Sequence, residues 1–447
     1  MHASRSPARP GSPSMLRLAT ASLAGTAIEF YDFAIYGTAA ALVLGPLFFP
    51  SFSPLAGTLA AFGTFGVGFL ARPVGAVLFG HVGDRFGRRP VLFSSLILTG
   101  ATTVAVGCLP TYDSIGLLAP VLLILLRFLQ GLGLGGEWGG AVLLTVEHAP
   151  AHRRALWASF PQTGPSIGFL LANGVMLAMS AGLTDAQFTS WGWRVPFWAA
   201  GVLAVAGLLL RSSLEETPDF KELAAKGERA GAPFAEVVRD HWRLVLLTAG
   251  ALSLGYALVY TMSTWSLAYG TEHLGVDRTV MLGCVMAAVV LKGPLIPVAA
   301  VIGDRVGRRP MCLVGCAISA LWTFPMMALL STGEPWLMFL GFLGGSVSFA
   351  AMFSVIGAYL PELYAPRVRC TGAALGYNLA GVSGGALTPI VATAVSGGDG
   401  PPWGVAAYLT GMALVSLGCF ALLPETRPAA VRAAEAKAAG AEGAAPA

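Results

Sequence analysis

Gly80-His81-Val82-Gly83-Asp84-Arg85-Phe86-Gly87-Arg88-Arg89-Pro90 is a short charged loop set between two apolar stretches of helix length. It returns as Gly303-Asp304-Arg305-Val306-Gly307-Arg308-Arg309-Pro310, with the two aspartates 220 positions apart (84 to 304). A single charged loop beside an apolar segment is common. Two copies of D-R-x-G-R-R-P, each ending one apolar segment and opening the next, point to a duplicated unit. Glycine permits a turn too tight for a Cβ, aspartate is stabilised at the positive end of a helix, and arginine favours the cytoplasmic side of a membrane. The stretch therefore reads as a hinge between two membrane helices. Its candidate hinge residues are Gly80, Asp84, Arg85, Gly87, Arg88 and Arg89 in the first copy, and Asp304, Arg305, Gly307, Arg308 and Arg309 in the second. The second copy departs by having Ala300 where the first has Gly80.

Composition sets the class. The chain has 447 residues, 55% hydrophobic and 11% charged, whereas soluble domains carry about a quarter charged residues. This is an all-α polytopic membrane protein, and its 57 glycines suit helices packed backbone to backbone in lipid. A spanning helix needs about twenty mostly apolar residues. Twelve segments qualify: 18–48, 54–79, 90–110, 115–145, 155–181, 193–211, 243–269, 279–302, 310–331, 335–360, 370–396 and 402–424. The predicted organisation is a disordered tail (1–17), a six-helix bundle (18–211), a polar linker (212–242), a second six-helix bundle (243–427) and a short Ala/Gly-rich disordered tail (428–447). Met15 is an alternative start. The first apolar segment is too long for a signal sequence, lacks an A-x-A cleavage site and carries Glu29 and Asp32, so it reads as a retained helix.

Arginine placement orients the chain. Arg85, Arg88, Arg89, Arg153, Arg154, Arg305, Arg308, Arg309, Arg367 and Arg369 fall in the loops after even-numbered segments, against only Arg194 and Arg278 in the opposite loops. The positive-inside rule puts the charged loops and both termini in the cytoplasm, at the cell membrane. The repeat is wider than the loop. Glu147 and Arg154 recur as Glu362 and Arg369, and Glu216-Thr217 as Glu425-Thr426. Two parallel six-helix halves, with a ligand at their interface, are the arrangement such repeats imply.

The same survey excludes other classes. The net charge of +4 comes from loop arginines, and no basic patch with interleaved aromatics suggests a nucleic-acid partner. The six cysteines lie mostly in apolar segments, where free buried thiols are expected; Cys312 and Cys316 are one turn apart without a His or carboxylate at ligand spacing, so no metal is expected. No Ser/His/Asp order, H-E-x-x-H or Walker loop is present, which argues against an enzyme, a cofactor and a primary pump. His148 and His152, beside Pro150, read as a solvated loop.

Charges inside the membrane are costly and therefore usually functional or paired. Glu29, Asp32 and Tyr36 share one face of the first segment, and Arg127, Gln130 and Glu137 one face of the fourth. Arg72 and Lys292 each stand twelve positions before their loop aspartate and are repeat equivalents. Counting depth at 1.5 Å per residue puts Asp32 and Arg127 near mid-membrane. A buried carboxylate beside an arginine stays ionised, and loss of that partner makes it hold a proton. The candidate proton site is Asp32, shared with Glu29, with Arg127 as counter-charge; the alternative is a static salt bridge that orients helices. Arg72 and Glu137 read as structural pairs, and Lys292 as a holder of an anionic ligand. Tyr36, Gln130, Gln162, Tyr256, Tyr260, Tyr377 and Asn378 are further candidates for lining a cavity, with packing as the alternative for each. Asn173 and Trp265 belong to the same group.

These motifs carry a resemblance. G-x-x-x-D-R-x-G-R-R resembles the loop between the second and third helices of the major facilitator superfamily, which implies a twelve-helix fold whose loop locks and releases two helices during alternating access. Thr26–Gly37 (T-A-I-E-F-Y-D-F-A-I-Y-G), Arg127–Ala141 (R-F-L-Q-G-L-G-L-G-G-E-W-G-G-A), Trp191–Phe197 (W-G-W-R-V-P-F), Leu214–Phe220 (L-E-E-T-P-D-F), Pro361–Gly372 (P-E-L-Y-A-P-R-V-R-C-T-G) and Pro424–Arg427 (P-E-T-R) resemble the metabolite:H+ symporter family. That implies a monomer driving proton symport of small organic solutes: hydroxy- or oxo-carboxylates such as shikimate or 2-oxoglutarate, or zwitterions such as proline and glycine betaine. The run from Asp185 to Phe197 looks most like the shikimate branch. The tail lacks the apolar heptads of the osmosensory members. A rival mechanism is proton-coupled efflux, since Gly164-Pro165-x-x-Gly168 partly matches a pattern of antiporters; helix packing explains the same residues.

Overall fold

A computed structural model of the chain describes residues 15–86, 88–135, 142, 145, 146, 149–212, 233–364, 368–396 and 401–427, apart from the side chains of 17, 21, 80–86, 88–92, 210–212, 233 and 370. The side chains of Asp84, Arg85, Arg88 and Arg89, with Gly87 and Glu137, lie outside the described residues.

With no water in the hydrocarbon layer, every backbone N–H and C=O must be satisfied within its own segment, which makes the apolar stretches helical. They are α1 (Leu18–Phe48), α2 (Pro54–Phe86), α3 (Arg88–Cys108), α4 (Leu118–Leu134), α5 (Arg154–Gly182), α6 (Val195–Ser212), α7 (Trp242–Glu272), α8 (Arg278–Val306), α9 (Arg308–Leu330), α10 (Pro335–Glu362), α11 (Thr371–Val395) and α12 (Trp403–Leu422). Among the described residues ten helices are long and apolar enough to cross a membrane, and Phe93–Cys108 and Leu118–Leu134 are shorter apolar pieces. Helical backbone leads into α1 from Met15, inside the predicted tail, and Pro233–Asp240 forms a short helix inside the predicted linker. Leu70, Val202, Leu209, Leu321 and Leu422 are exposed on the outer surface of the helix cluster, the face that lipid would cover.

Within the first half α1 packs on α5, α2 on α4, and α3 on α4 and α6; in the second, α7 packs on α11 and α12, α8 on α10, and α9 on α10 and α12. Across the halves α5 lies along α8, and α2 along α11. Shifting by six helices turns the pair α2–α11 into α8–α5, so the interface has the two-fold pattern expected of parallel repeats. Small residues let these backbones approach. A Cβ on Gly131 of α4 would stand 2.1 Å from the carbonyl oxygen of Gly68 on α2. Gly164 and Gly168 of α5 face α1 in the same way, 2.9 Å from the Leu23 oxygen and 2.3 Å from the Ala27 oxygen, so packing accounts for their spacing.

Irregular turns are placed at repeat-related positions as well. α1 widens to a π-helix at Ala40–Leu44, and α7 does so at Thr261–Trp265, 221 positions on (40 to 261). α11 has a third such turn at Gly381–Ala386. Single π-turns of this kind are usually found where a helix serves a site.

Both ends of the interface are bridged. At the end carrying the second charged turn, Asp304 accepts hydrogen bonds from the backbone N–H groups of Ala155 (3.0 Å) and Leu156 (2.9 Å), the first turn of α5. An anion belongs there, because those N–H groups have no partner in their own helix. Arg308 holds Asp304 at 3.2 Å and Glu362 at 3.5 Å, while Arg154 reaches Glu362 at 3.7 Å across the halves. Glu425 caps α9 by accepting from the N–H groups of Arg308 (3.0 Å) and Arg309 (2.9 Å). Gly307, at φ +122°, makes the reversal that places both groups. Arg309 donates to the carbonyls of Phe420 and Ala421, whereas Arg305 is exposed. At the opposite end Thr58 donates to Glu272 at 3.1 Å, and Arg278 donates to Ser180 (2.7 Å) and Asp185 (2.7 Å) while lying 3.9 Å from the centre of the Phe188 ring. Asp185 is 90% exposed in its side chain and such a pair contributes little. The Ser180 hydrogen bond and the Phe188 ring contact hold Arg278 more firmly.

Arg278→Ala removes all three contacts at once. With spin labels at exposed Ala186 and Thr332 of the purified protein, the population ratio of long to short distances is expected to rise about tenfold. An unchanged distance distribution would show that Arg278 does not hold this end shut.

Candidate functional site

Between the two bridged ends lies a cavity of about 80 Å³, lined from α1, α5, α7, α8, α10 and α11. Its walls are mostly rings and aliphatic chains, including Phe33, Phe169, Val285, Val289, Phe342, Phe349 and Phe353. Polar groups are few: Gln162 and Ser166 on α5, Tyr256, Tyr260, Ser263 and Thr264 on α7, Lys292 on α8 and Tyr377 on α11. Apolar walls with a small number of placed polar groups are the usual form of a small-molecule site.

Lys292 is 8% exposed, and its Nζ lies 4.9 Å from the centre of the Phe349 ring. Among the described residues no carboxylate comes within ion-pair distance of it. Pro294 and Pro297 follow at once in α8 and remove the N–H groups that would bond the carbonyls of Val290 and Gly293, loosening the helix beside the ammonium. Gln162 is also buried, and its Nε2 has no hydrogen-bond partner among the described residues.

The remaining buried charges sit behind a cluster of rings. Phe65 meets Tyr260 edge-on at 5.2 Å, Phe69 meets Tyr260 at 5.4 Å, and Tyr256 meets Tyr377 at 5.3 Å. Arg72 pairs with Glu29 at 3.8 Å and lies over Phe33 (4.9 Å) and Phe69 (5.5 Å). Arg127 lies 3.8 Å over the Tyr36 ring and 5.1 Å from the Phe33 ring, and donates to Gln130, which in turn donates to Thr103 at 2.6 Å. The carboxylate of Asp32, buried one turn beyond Glu29, acts electrostatically on Arg127. Phe33 thus lines the cavity and carries both guanidinium groups within reach of its ring.

The predicted site residues divide between the cavity and its surroundings. Gln162, Tyr256, Tyr260, Lys292 and Tyr377 line the cavity; Tyr36, Gln130 and Asn378 do not. Tyr36 is held by Thr64 at 2.6 Å, and Asn378 donates to the carbonyl of Gly135 at 3.3 Å, joining α11 to α4. Of the other residues named for the cavity, Asn173 is bonded to Thr38 at 2.7 Å and Trp265 stacks on Tyr269 at 4.9 Å. Arg72, expected to be a structural charge apart from the proton site, is joined to Glu29 of that site. Ser263 and Thr264 are cavity residues that sequence reasoning does not pick out, although they continue the face of Tyr256 at i+7 and i+8. Phe33, Phe349 and Phe353 give no such signal, because a phenylalanine in a membrane helix reads the same toward lipid, core or cavity.

The family model described as "Sugar (and other) transporter" matches residues 18–245, and that described as "Major Facilitator Superfamily" matches residues 272–445. The chain is 43% identical over 416 residues to the inner membrane metabolite transport protein YhjE of Escherichia coli (strain K12), covering 92% of this chain and 94% of that protein. It is 38% identical over 419 residues to the shikimate transporter of the same strain (92% and 95% covered), and 33% identical over 384 residues to its proline/betaine transporter (83% and 76% covered). A partially occluded, inward-open structure of the xylose transporter XylE from E. coli superposes with a TM-score of 0.72 at 20% identity, covering 93% of this chain and 99% of that one. Sequence, fold and relatives agree: the chain is a membrane transporter, not an enzyme, and belongs to the major facilitator superfamily.

Proposed function

We propose that the protein is a proton symporter that takes up a small organic anion, a hydroxy- or oxo-carboxylate such as shikimate, by alternating access of the Lys292 cavity. The carrying observation is a buried ammonium lining that cavity with no described carboxylate beside it. An ammonium removed from water costs several kcal/mol unless an anion meets it, so an anionic solute supplies what the fold withholds. The name of the E. coli shikimate transporter, a relative of high coverage, fits the same chemistry. The positive-inside pattern supports placing both termini and the charged turns on the cytoplasmic face of the inner membrane.

Asp32 is the proton carrier in this reading. Glu29 is held by Arg72, which leaves Asp32 as the buried acid facing the more loosely held Arg127. When Asp32 takes a proton, its pull on Arg127 ends, and Arg127 rests on Gln130 and on the rings of Tyr36 and Phe33. Phe33, next in the chain, passes the change to the cavity wall. Proton and anion then cross together as the bridges at one end open and those at the other close.

A second reading, a zwitterionic osmolyte, is favoured by the rings of Tyr256 and Tyr260, stacked at 6.4 Å, since aromatic faces attract quaternary ammonium groups. Lys292 in the same cavity repels such a group.

Lys292→Gln is expected to weaken shikimate binding to purified protein by about ten- to a hundredfold, the loss of one charged hydrogen bond, with Lys292→Arg retaining part of it. Calorimetry checks this, and unaltered affinity in Lys292→Gln would refute the anion site. Asp32→Asn is expected to keep solute counterflow in proteoliposomes while losing accumulation driven by a pH gradient. Uphill accumulation with the parent's pH dependence would remove Asp32 from the proton path.

A further inference from the structure

We infer that the cavity selects for one negative charge on a flat ring: its solutes are cyclic or aromatic monocarboxylates with a distal hydroxyl or keto oxygen, and Gln162 is the residue that reads that oxygen. The inference rests on the proposal that Lys292 receives the solute's carboxylate, and it adds the solute's charge, shape and second anchor.

Three buried cations surround the region, Arg72, Arg127 and Lys292. Arg72 is matched by Glu29, and Arg127 is held by Gln130 and the Tyr36 ring. Neither arginine lines the cavity, so Lys292 is the one cation among its described lining residues. One carboxylate neutralises it. A second would lie against aliphatic and aromatic walls with no described counter-charge, and a buried unpaired charge is strongly disfavoured.

Shape and polarity follow from the other walls. Phe349 and Phe353 stack at 4.7 Å with 17° between their planes, and Tyr256 and Tyr260 are within 10° of parallel. All four of these rings line the cavity, and aromatic rings favour offset-stacked or edge-to-face contact with another flat ring. On α5, in the opposite half from Lys292, Gln162 is 4% exposed and its Nε2 is unpartnered. A buried amide N–H without an acceptor is destabilising until an acceptor arrives. A solute oxygen distal to the carboxylate satisfies it. A ligand held by Lys292 at one end and Gln162 at the other also joins the two halves, which gives closure around the correct solute a physical cause.

The test uses a para-substituted series on the purified protein: benzoate, 4-hydroxybenzoate and terephthalate, with 2-oxoglutarate as a flexible dianion. The expected order is 4-hydroxybenzoate tightest, benzoate about tenfold weaker, and both dianions at least about a hundredfold weaker than 4-hydroxybenzoate. Gln162→Leu is expected to abolish the difference between 4-hydroxybenzoate and benzoate while leaving benzoate affinity in place, which a merely structural role would not do. If terephthalate or 2-oxoglutarate binds best and Lys292→Gln abolishes that binding, the charge count is wrong while the anion site stands. If Lys292→Gln alters no member of the series, or no anion binds the parent protein, both fall. A Gln162→Leu variant that still prefers the hydroxylated ring removes Gln162 as its reader.

Discussion

A charged group inside a membrane protein must be answered by an opposite charge, by hydrogen bonds or by a ligand, because lipid and packed side chains do not solvate it. In the first half the answer is internal: Glu29 stands beside Arg72, and Arg127 is held by Gln130 and the Tyr36 ring. In the second half the described residues give Lys292 an aromatic face and no carboxylate within ion-pair distance. The architecture follows from that imbalance. In the proposed mechanism the half with balanced charge exchanges the proton, and the half with Lys292 receives the anion.

The repeat explains how the imbalance arises. Arg72 and Lys292 occupy equivalent positions, each twelve before its turn aspartate. At the same offset of 220, the places of Glu29 and Asp32 are taken by Ala249 and Leu252, whereas Tyr36 is matched by Tyr256. The duplicated frame kept the cation and the tyrosine but not the acids. In the proposed mechanism that loss is what turns a neutralised pair into a receptor for a solute. The bridged ends show the converse, a device retained: Asp304 of the second turn caps α5 of the first half, and Arg154 reaches back to Glu362.

Much of the fold is legible in the sequence because hydropathy and the arginine pattern act over whole segments, and among the described residues each of the twelve apolar runs carries one of the helices α1 to α12. Lys292 is legible for a related reason, since the scarcity of acids in the later apolar segments can be counted without coordinates. The Glu29–Arg72 pair is not. Depth counted along two helices places residues at a level but does not say which faces meet, and Arg72 counts as nearer the loop than it is to its partner. Tyr36, Gln130 and Asn378 mislead in the same way: they lie on helices that border the cavity or pack beside it but turn toward Thr64, Thr103 and Gly135. The π-turns at Ala40–Leu44 and Thr261–Trp265 have no compositional mark, because a change from i+4 to i+5 bonding is decided by neighbouring helices rather than by the residues themselves.

The central claim is that a proton and an organic anion cross together. It is tested most directly by adding shikimate to the outside of lightly buffered, de-energised proteoliposomes while following external pH. The account predicts alkalinisation outside as protons enter with the solute, and none with Asp32→Asn. Acidification outside would mean exchange in opposite directions, and shikimate entry with no pH change would mean a carrier without proton coupling; either result contradicts the account.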